Sequence, residues 1–244
     1  MTDEGWRWDL ALTQMAHLGE PAGAPGNVAV MLEQLCKAAV TQLGASGVGV
    51  SVMADRGISG FAAASDLPSR ELEELQFTLG EGPCVDAFSA GYPVLVPDLS
   101  DGVQRRWPMY VAAALERGVG AIFAFPIQVG GSRLGVLDVS RDSPGSMTSQ
   151  QVGRAVALAD TALVLILDGQ LRAPVGAVPE GFDQAPGFRA EIAQAQGMIM
   201  VQLGVSITEA LVRLRAHAYS ESRLVGDVAR DVVARRIRFD EIAP

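Results

Sequence analysis

The stretch that decides the fold is Ala121–Ser140, "AIFAFPIQVGGSRLGVLDVS". Two strand-like runs flank Gly130-Gly131, and a glycine pair between such runs signals a hairpin, because tight hairpin turns need positive φ at their centre. An antiparallel pair is therefore predicted near the middle of the chain. Upstream, "GVGVSVMA" alternates Val48, Val50 and Val52 with small residues, the period of a strand with one buried face, and "GISGFAAAS" reads as its antiparallel partner. Before them, Val28, Leu32, Leu35, Ala39 and Leu43 recur at helical spacing and stop at Gly44. A helix through Leu72, Leu75 and Leu79 ends at Gly80, before a loop "GEGPC", and "YPVLVPD" is a short strand closed by prolines. Pro108 suits the first turn of a helix running to Arg117.

Downstream of the hairpin, Thr148 and Gln151 form a capping box that opens a helix to about Leu171. A helix, an antiparallel sheet with helical excursions and a closing helix make an α+β domain. In the closing helix Val152, Val156, Ala159, Leu163 and Ile166 step at a coiled-coil period, beside a second stripe of Ala155, Leu158, Ala162 and Leu165. One stripe covers the domain's own sheet. The other either serves as the seam of a homodimer or is buried in the same subunit; we read the stripe of Val152, Val156, Ala159, Leu163 and Ile166 as the seam.

"RAPVGAVPEGFDQAPG", residues 172–187, holds three prolines and three glycines and is the clearest linker. Three helical patterns follow. The first carries Ile192, Ala195, Ile199 and Leu203 on one face and stops at Gly204. The second, capped by Ser206 and Glu209, groups Ile207, Leu211, Leu214 and Ala218; the third runs from about Leu224 through Val228, Val232 and Ile237. The organisation is thus a lead-in (1–26), an α+β domain (27–171), a linker (172–187) and a small three-helix bundle (188–244).

The net charge of −9 argues against diffuse binding to nucleic acid or anionic membrane. That average conceals a division: residues 188–239 hold eight arginines against five acids, whereas residues 1–187 carry 11 basic and 21 acidic side chains. A mildly basic module follows an acidic one, which points to separate roles. Two cysteines make no disulfide framework, and the start "MTDEGWRWDL" has neither the basic nor the apolar region of a signal peptide. No uninterrupted apolar run approaches the roughly 20 residues that span a bilayer. A soluble, cytoplasmic protein is expected.

The motif "QAQGMIMVQLGVSITEALVRLRAHA", followed by "RLVGDVARDVV", resembles the ANTAR domain, the three-helix RNA-binding module of transcription antiterminators. The resemblance implies an RNA-binding role for Ala195, Gln196 and Gly197. Gln196 stands where many members carry lysine, and a neutral amide hydrogen-bonds but does not neutralise phosphate. The segments "LGEGPCVDAF", "PVLVPDLS", "RGVGAIFAFPI" and "LGVLDVSR" resemble a GAF domain, as joined to ANTAR in many actinobacterial proteins. That likeness implies a six-stranded antiparallel sheet with flanking helices and a capacity to sense small ligands or to dimerise. It names no ligand or cofactor.

Arg213 and Arg215 lie off the apolar face of the second helix and are expected to reach solvent, while Arg223 and Arg230 belong to the third. Arginine forks pair with phosphate and stack on unpaired bases, and Tyr219 adds a stacking face. The ANTAR likeness implies tandem hairpin loops in mRNA leaders as the partner; an ordinary solvated surface, or a protein-docking bundle, is the competing reading. In the sheet domain Cys84 is a candidate redox-active or ligand-attaching thiol, and Trp107, Phe123 and Phe125 are candidate lining for an apolar ligand pocket, or core. The chain has only His17 and His217, which disfavours Cys–His catalysis and histidine-ligated metal, and no enzyme is expected.

Overall fold

The computed structural model describes residues 27–54, 57–172, 190–221 and 223–239. The lead-in and nearly all of the linker read from the sequence lie outside these residues. Asn27 accepts from the Val30 N–H at 3.3 Å and opens α1 (Val28–Leu43), which Gly44 closes in the left-handed region at φ 58°. Strands β1 (Gly47–Ala54) and β2 (Gly57–Ala64) follow, then α2 (Leu67–Leu79), capped by Asp66, and α3 (Pro83–Ala90). After β3 (Val94–Val96) come α4 (Pro108–Glu116), the hairpin β4 (Ala121–Val129) and β5 (Ser132–Arg141), and α5 (Ser149–Arg172). The described strands form one antiparallel sheet of five, in the order β2-β1-β5-β4-β3, where the family likeness implied six.

Alternation along the strands sorts side chains onto two faces. Val48, Val50, Phe123, Phe125, Ile127, Leu137 and Val139 face α1 and α5. Met53, Ile122, Ala124 and Val136 face α2, α3 and α4, together with Trp107 and Tyr110. Phe123 and Phe125 therefore stand on the opposite side of the sheet from Cys84 and Trp107. The four cannot line one pocket, and all are core residues no more than 2% exposed.

The dimer seam is also corrected. In α5, Ala159, Leu163 and Ile166 are buried within the chain, and Val152 and Val156 pack against the same apolar cluster, which includes α1. Ala155, Leu158, Ala162 and Leu165 are buried as well. An α-helix lodged between a second helix and a sheet has apolar neighbours over most of its circumference, so two stripes are consumed inside one subunit. The capping box does form: the Gln151 N–H donates to Thr148 Oγ1 at 3.2 Å, and the Thr148 N–H to Gln151 Oε1 at 2.9 Å.

The bundle consists of α6 (Ala190–Leu203), α7 (Ile207–Ser220) and α8 (Val225–Val233). Ile192, Ala195, Ile199, Leu211, Leu214, Ala218, Val228 and Val232 make its core, closed by Phe239 against the His217 ring at 5.4 Å. Ile207 lies at the rim instead, 36% exposed. The third helix is shorter than its apolar spacing suggested, because the chain turns at Arg235, whose φ is 59°. The bundle core is continuous with the apolar cluster of the α2–α4 face, so the two parts of the chain are docked. No single described helix is long and apolar enough to cross a membrane.

Candidate functional site

In the bundle, Ala195 is wholly buried and serves as core, whereas Gln196 and Gly197 lie at the half-exposed surface of α6. A Cβ placed on Gly197 would meet nothing within 4 Å, so no packing demand explains glycine in mid-helix. Tyr219 is 54% exposed. The arginines are mostly engaged. Arg213 pairs with Glu209 at 2.9 Å, Arg230 with Asp227 at 2.9 Å, and Arg223 with both Asp231 at 2.6 Å and Glu221 at 3.2 Å. Arg236 also reaches Asp231, at 2.8 Å, and the two guanidinium groups hold that carboxyl below its usual range.

Arg215 departs from expectation. It is mostly buried: its guanidinium lies over the Phe77 ring, 5.2 Å from the centroid, and beside Gly80 at the end of α2. Burial pulls its pKa down to about 10, and Nε and Nη2 have no hydrogen-bond partner. Nearby, Glu74 of α2 feels the like charge of Asp227 of α8. The junction thus joins good apolar contact to an unsatisfied cation and a like-charge pair.

On the sheet side of α2 a polar cluster is buried. Glu73 points from α2 to the sheet, where Ser51 Oγ of β1 donates to its Oε2 at 2.5 Å. Gly49 leaves room for it, since a Cβ there would come within 2.7 Å of the Glu73 side chain. Asp138 sits on the central strand β5, opposite Gly49 of β1 and Ala124 of β4. Cys84 belongs to the first turn of α3 and not to a loop; Gln76 Oε1 accepts its backbone N–H at 2.9 Å, meeting a donor the helix start leaves free. Burial raises the pKa of Glu73 to about 7, and raises those of Asp138 and Cys84 well above their ordinary values, with the Glu73 charge adding to the effect on Asp138 and the charges of Asp138 and Glu73 to that on Cys84. Cys84 is therefore a sealed thiol, 1% exposed, and not a reactive thiolate open to solvent.

The neighbouring acids of "GEGPC" are structural. Glu81 Oε1 accepts from the N–H groups of Met109 and Tyr110 at 2.8 and 2.9 Å, capping α4, and Asp86 pairs with Arg106 at 2.6 Å. The sequence reading missed Glu73 and Asp138. A signal for Asp138 was present, since an acid in step with the apolar run of a central strand has to be buried.

A family model for the GAF domain matches residues 27–167, and one for the ANTAR domain matches residues 183–233. No curated protein matches the chain. Among solved structures, the GAF domain from a phosphoenolpyruvate-protein phosphotransferase of Coxiella burnetii is 18% identical, with 70% of this chain and 98% of that one covered and a TM-score of 0.51. The GAF domain from an Acinetobacter phosphoenolpyruvate-protein phosphotransferase is 12% identical, with coverages of 70% and 98% and a TM-score of 0.49. Free methionine-R-sulfoxide reductase from Neisseria meningitidis, solved with its substrate, is 14% identical, with coverages of 71% and 96% and a TM-score of 0.49.

Proposed function

Because the chain belongs to the GAF domain family and carries an ANTAR domain behind it, we propose that it is a signal-responsive regulator that reads RNA hairpins in nascent mRNA. The GAF domain is the sensor and the ANTAR bundle the reader. Binding stabilises one RNA fold over another, and so acts by antitermination or by exposing a translation start. Such a role places the protein in the cytoplasm, and two chains on tandem hairpins gain avidity without new contacts.

The observation that carries this reading is the ANTAR match over residues 183–233, a span in which Gly197 lies on open helix surface. A helix surface bare of side chain lets a nucleic-acid backbone or a splayed base approach closely, and Tyr219 provides a ring for stacking. The docked junction supports control by the GAF domain, because it occupies Arg215. The partner of that arginine is the Phe77 ring, so salt is expected to affect docking little while weakening RNA binding, by less than the number of arginines suggests.

The test is binding of the full chain to tandem hairpins and to scrambled RNA of equal length, across a salt series. Preference for hairpins, lost on Tyr219→Ala, sustains the proposal. Equal binding of both RNAs transfers the role of the bundle to a protein partner, for which the exposed Val201 (76%) and Val212 (50%) would be the contact.

A further inference from the structure

Glu73, Cys84 and Asp138 come from three separate elements, α2, α3 and β5. Their donor atoms nevertheless converge to within 4.8 Å of one another, and none of the three residues is more than 3% exposed. Both oxygens of Asp138 and Nε2 of Gln76 make no hydrogen bond of good geometry, although Cys84, Glu73 and Gln76 lie close enough for hydrogen bonding to bear on the Asp138 carboxyl. The Tyr110 hydroxyl, fully buried and also without a partner, is close enough to feel the charges of all three. Folded interiors rarely leave polar atoms unpartnered, so four such atoms in one cluster point to a polar occupant.

A cavity of about 10 Å³ adjoins the two carboxyl groups and is lined also by Val48, Gly49, Ser69, Leu72, Ile122 and Ser140; Cys84, Gln76 and Tyr110 do not line it. Roughly 10–15 Å³ admits a single water-sized particle. An organic ligand would have to part the helices from the sheet.

We propose that this cluster is a cation site, in which Cys84 Sγ and the carboxylates of Glu73 and Asp138 bind a divalent transition metal of borderline softness such as Zn²⁺ or Fe²⁺. The thiolate sets the class: Mg²⁺ and Ca²⁺ take all-oxygen shells, whereas a mixed sulfur–oxygen set suits the later metals. Three protein ligands leave a fourth tetrahedral position for the Tyr110 oxygen or a water. Bonds of about 2.0–2.3 Å place tetrahedral donors about 3.3–3.8 Å apart, so the three groups close by about an ångström, within reach of side-chain rotation. On binding, the thiol and both carboxyl groups release their protons to solvent, and the ion offsets two of the three resulting charges. Ser51 already donates to Glu73, which supports one ligand from behind. The site is independent of the RNA-binding reading.

Metal-stripped full-length protein titrated with Co²⁺ without oxygen tests the proposal. One equivalent is expected to give an intense near-ultraviolet thiolate-to-cobalt absorption with visible bands of tetrahedral strength, and Zn²⁺ is expected to abolish both. Cys84→Ser should remove the thiolate band, while Cys36→Ser, which changes the other buried thiol, should keep it. Glu73→Gln and Asp138→Asn should weaken binding by about tenfold or more, the scale that even outer-shell losses reach. Circular dichroism establishes that each variant is folded, and the two carboxyl variants carry the test if Cys84→Ser is not. Absence of the band in folded wild-type protein, its persistence in Cys84→Ser, or unchanged affinity in both carboxyl variants overturns the proposal.

Discussion

Glu73 and Phe77 stand one turn apart on α2, the first held in the buried polar cluster and the second beneath the guanidinium of Arg215. One helix therefore touches both the interior of the GAF domain and the RNA-reading bundle. A change in how α2 seats on the sheet is felt at the domain junction, since close-packed elements shift as units.

Phe77→Leu keeps an apolar side chain at a core position but removes the ring under Arg215. A cation–π contact of this kind contributes about 0.5–2 kcal/mol. RNA affinity of the full chain is expected to rise about three- to thirtyfold, the equivalent of that energy. Filter binding at fixed salt measures it, and unchanged affinity would mean that the junction does not restrain the bundle.

Arg215→Met is expected to have two opposite effects. Replacing an unpartnered, mostly buried cation by an apolar chain of similar length should stabilise the docked protein by about 1–2 kcal/mol, seen as a higher urea midpoint. The same variant should bind hairpin RNA more weakly, if Arg215 meets phosphate once released. Loss of stability would show that the guanidinium is better satisfied than its surroundings indicate.

Gly197→Ala separates scaffold from reader. Alanine fits without contact within 4 Å and should strengthen α6 by about 0.5–1 kcal/mol. Hairpin affinity is expected to fall all the same, because the added methyl stands on the face proposed to meet RNA. A variant that is both more stable and equally active removes Gly197 from the interface.

Glu73 gives the protein a pH dependence of defined sign. In the folded chain it keeps its proton up to about pH 7, against an ordinary value of 4.5. Between those limits the folded state binds more protons than the unfolded, so stability falls as pH rises from about 4.5 toward 7. Metal-free wild-type protein should therefore be less stable near pH 8 than near pH 5 by urea unfolding. Glu73→Gln should reduce that difference without removing it, because Asp138 is raised in the same direction. Equal differences in the two proteins would exclude Glu73 as the source.

Leu163→Ala tests the reassignment of the α5 stripe. As an intrachain core residue, 3% exposed, it should lower stability by about 2–5 kcal/mol. Sedimentation should show the same assembly state before and after. Dissociation of a dimer by this change would restore the seam.

Much of this architecture was legible in the chain. The Gly130-Gly131 hairpin formed the β4–β5 pair, and Gly44, Gly80 and Gly204 end their helices at positive φ. Such features are local: a turn or a stop needs one residue with the right freedom. The errors arose where local pattern carries no information about partners. An apolar stripe looks the same whether its own sheet or a second chain covers it, and α5 has both stripes covered at home. Arg215 is off the core face of α7, as its spacing required, but nothing in α7 reveals that another domain lies against that face. Glu73 was hidden among the charged residues of "RELEEL", where helical spacing alone does not separate the one acid that turns inward.

The internal ion pairs of the bundle bear on how RNA is selected. Arg213, Arg223, Arg230 and Arg236 each already hold a carboxylate. A phosphate that takes one of these arginines must displace a tethered anion, and the carboxylate set free then repels the RNA. Long-range attraction for any polyanion is thereby muted, and the number of arginines overstates how much affinity salt can remove. Bulk cellular RNA, which offers charge and little else, is held at a disadvantage. On the proposed reading, retention falls to those transcripts whose loop shape fits the surface around Gly197 and Tyr219.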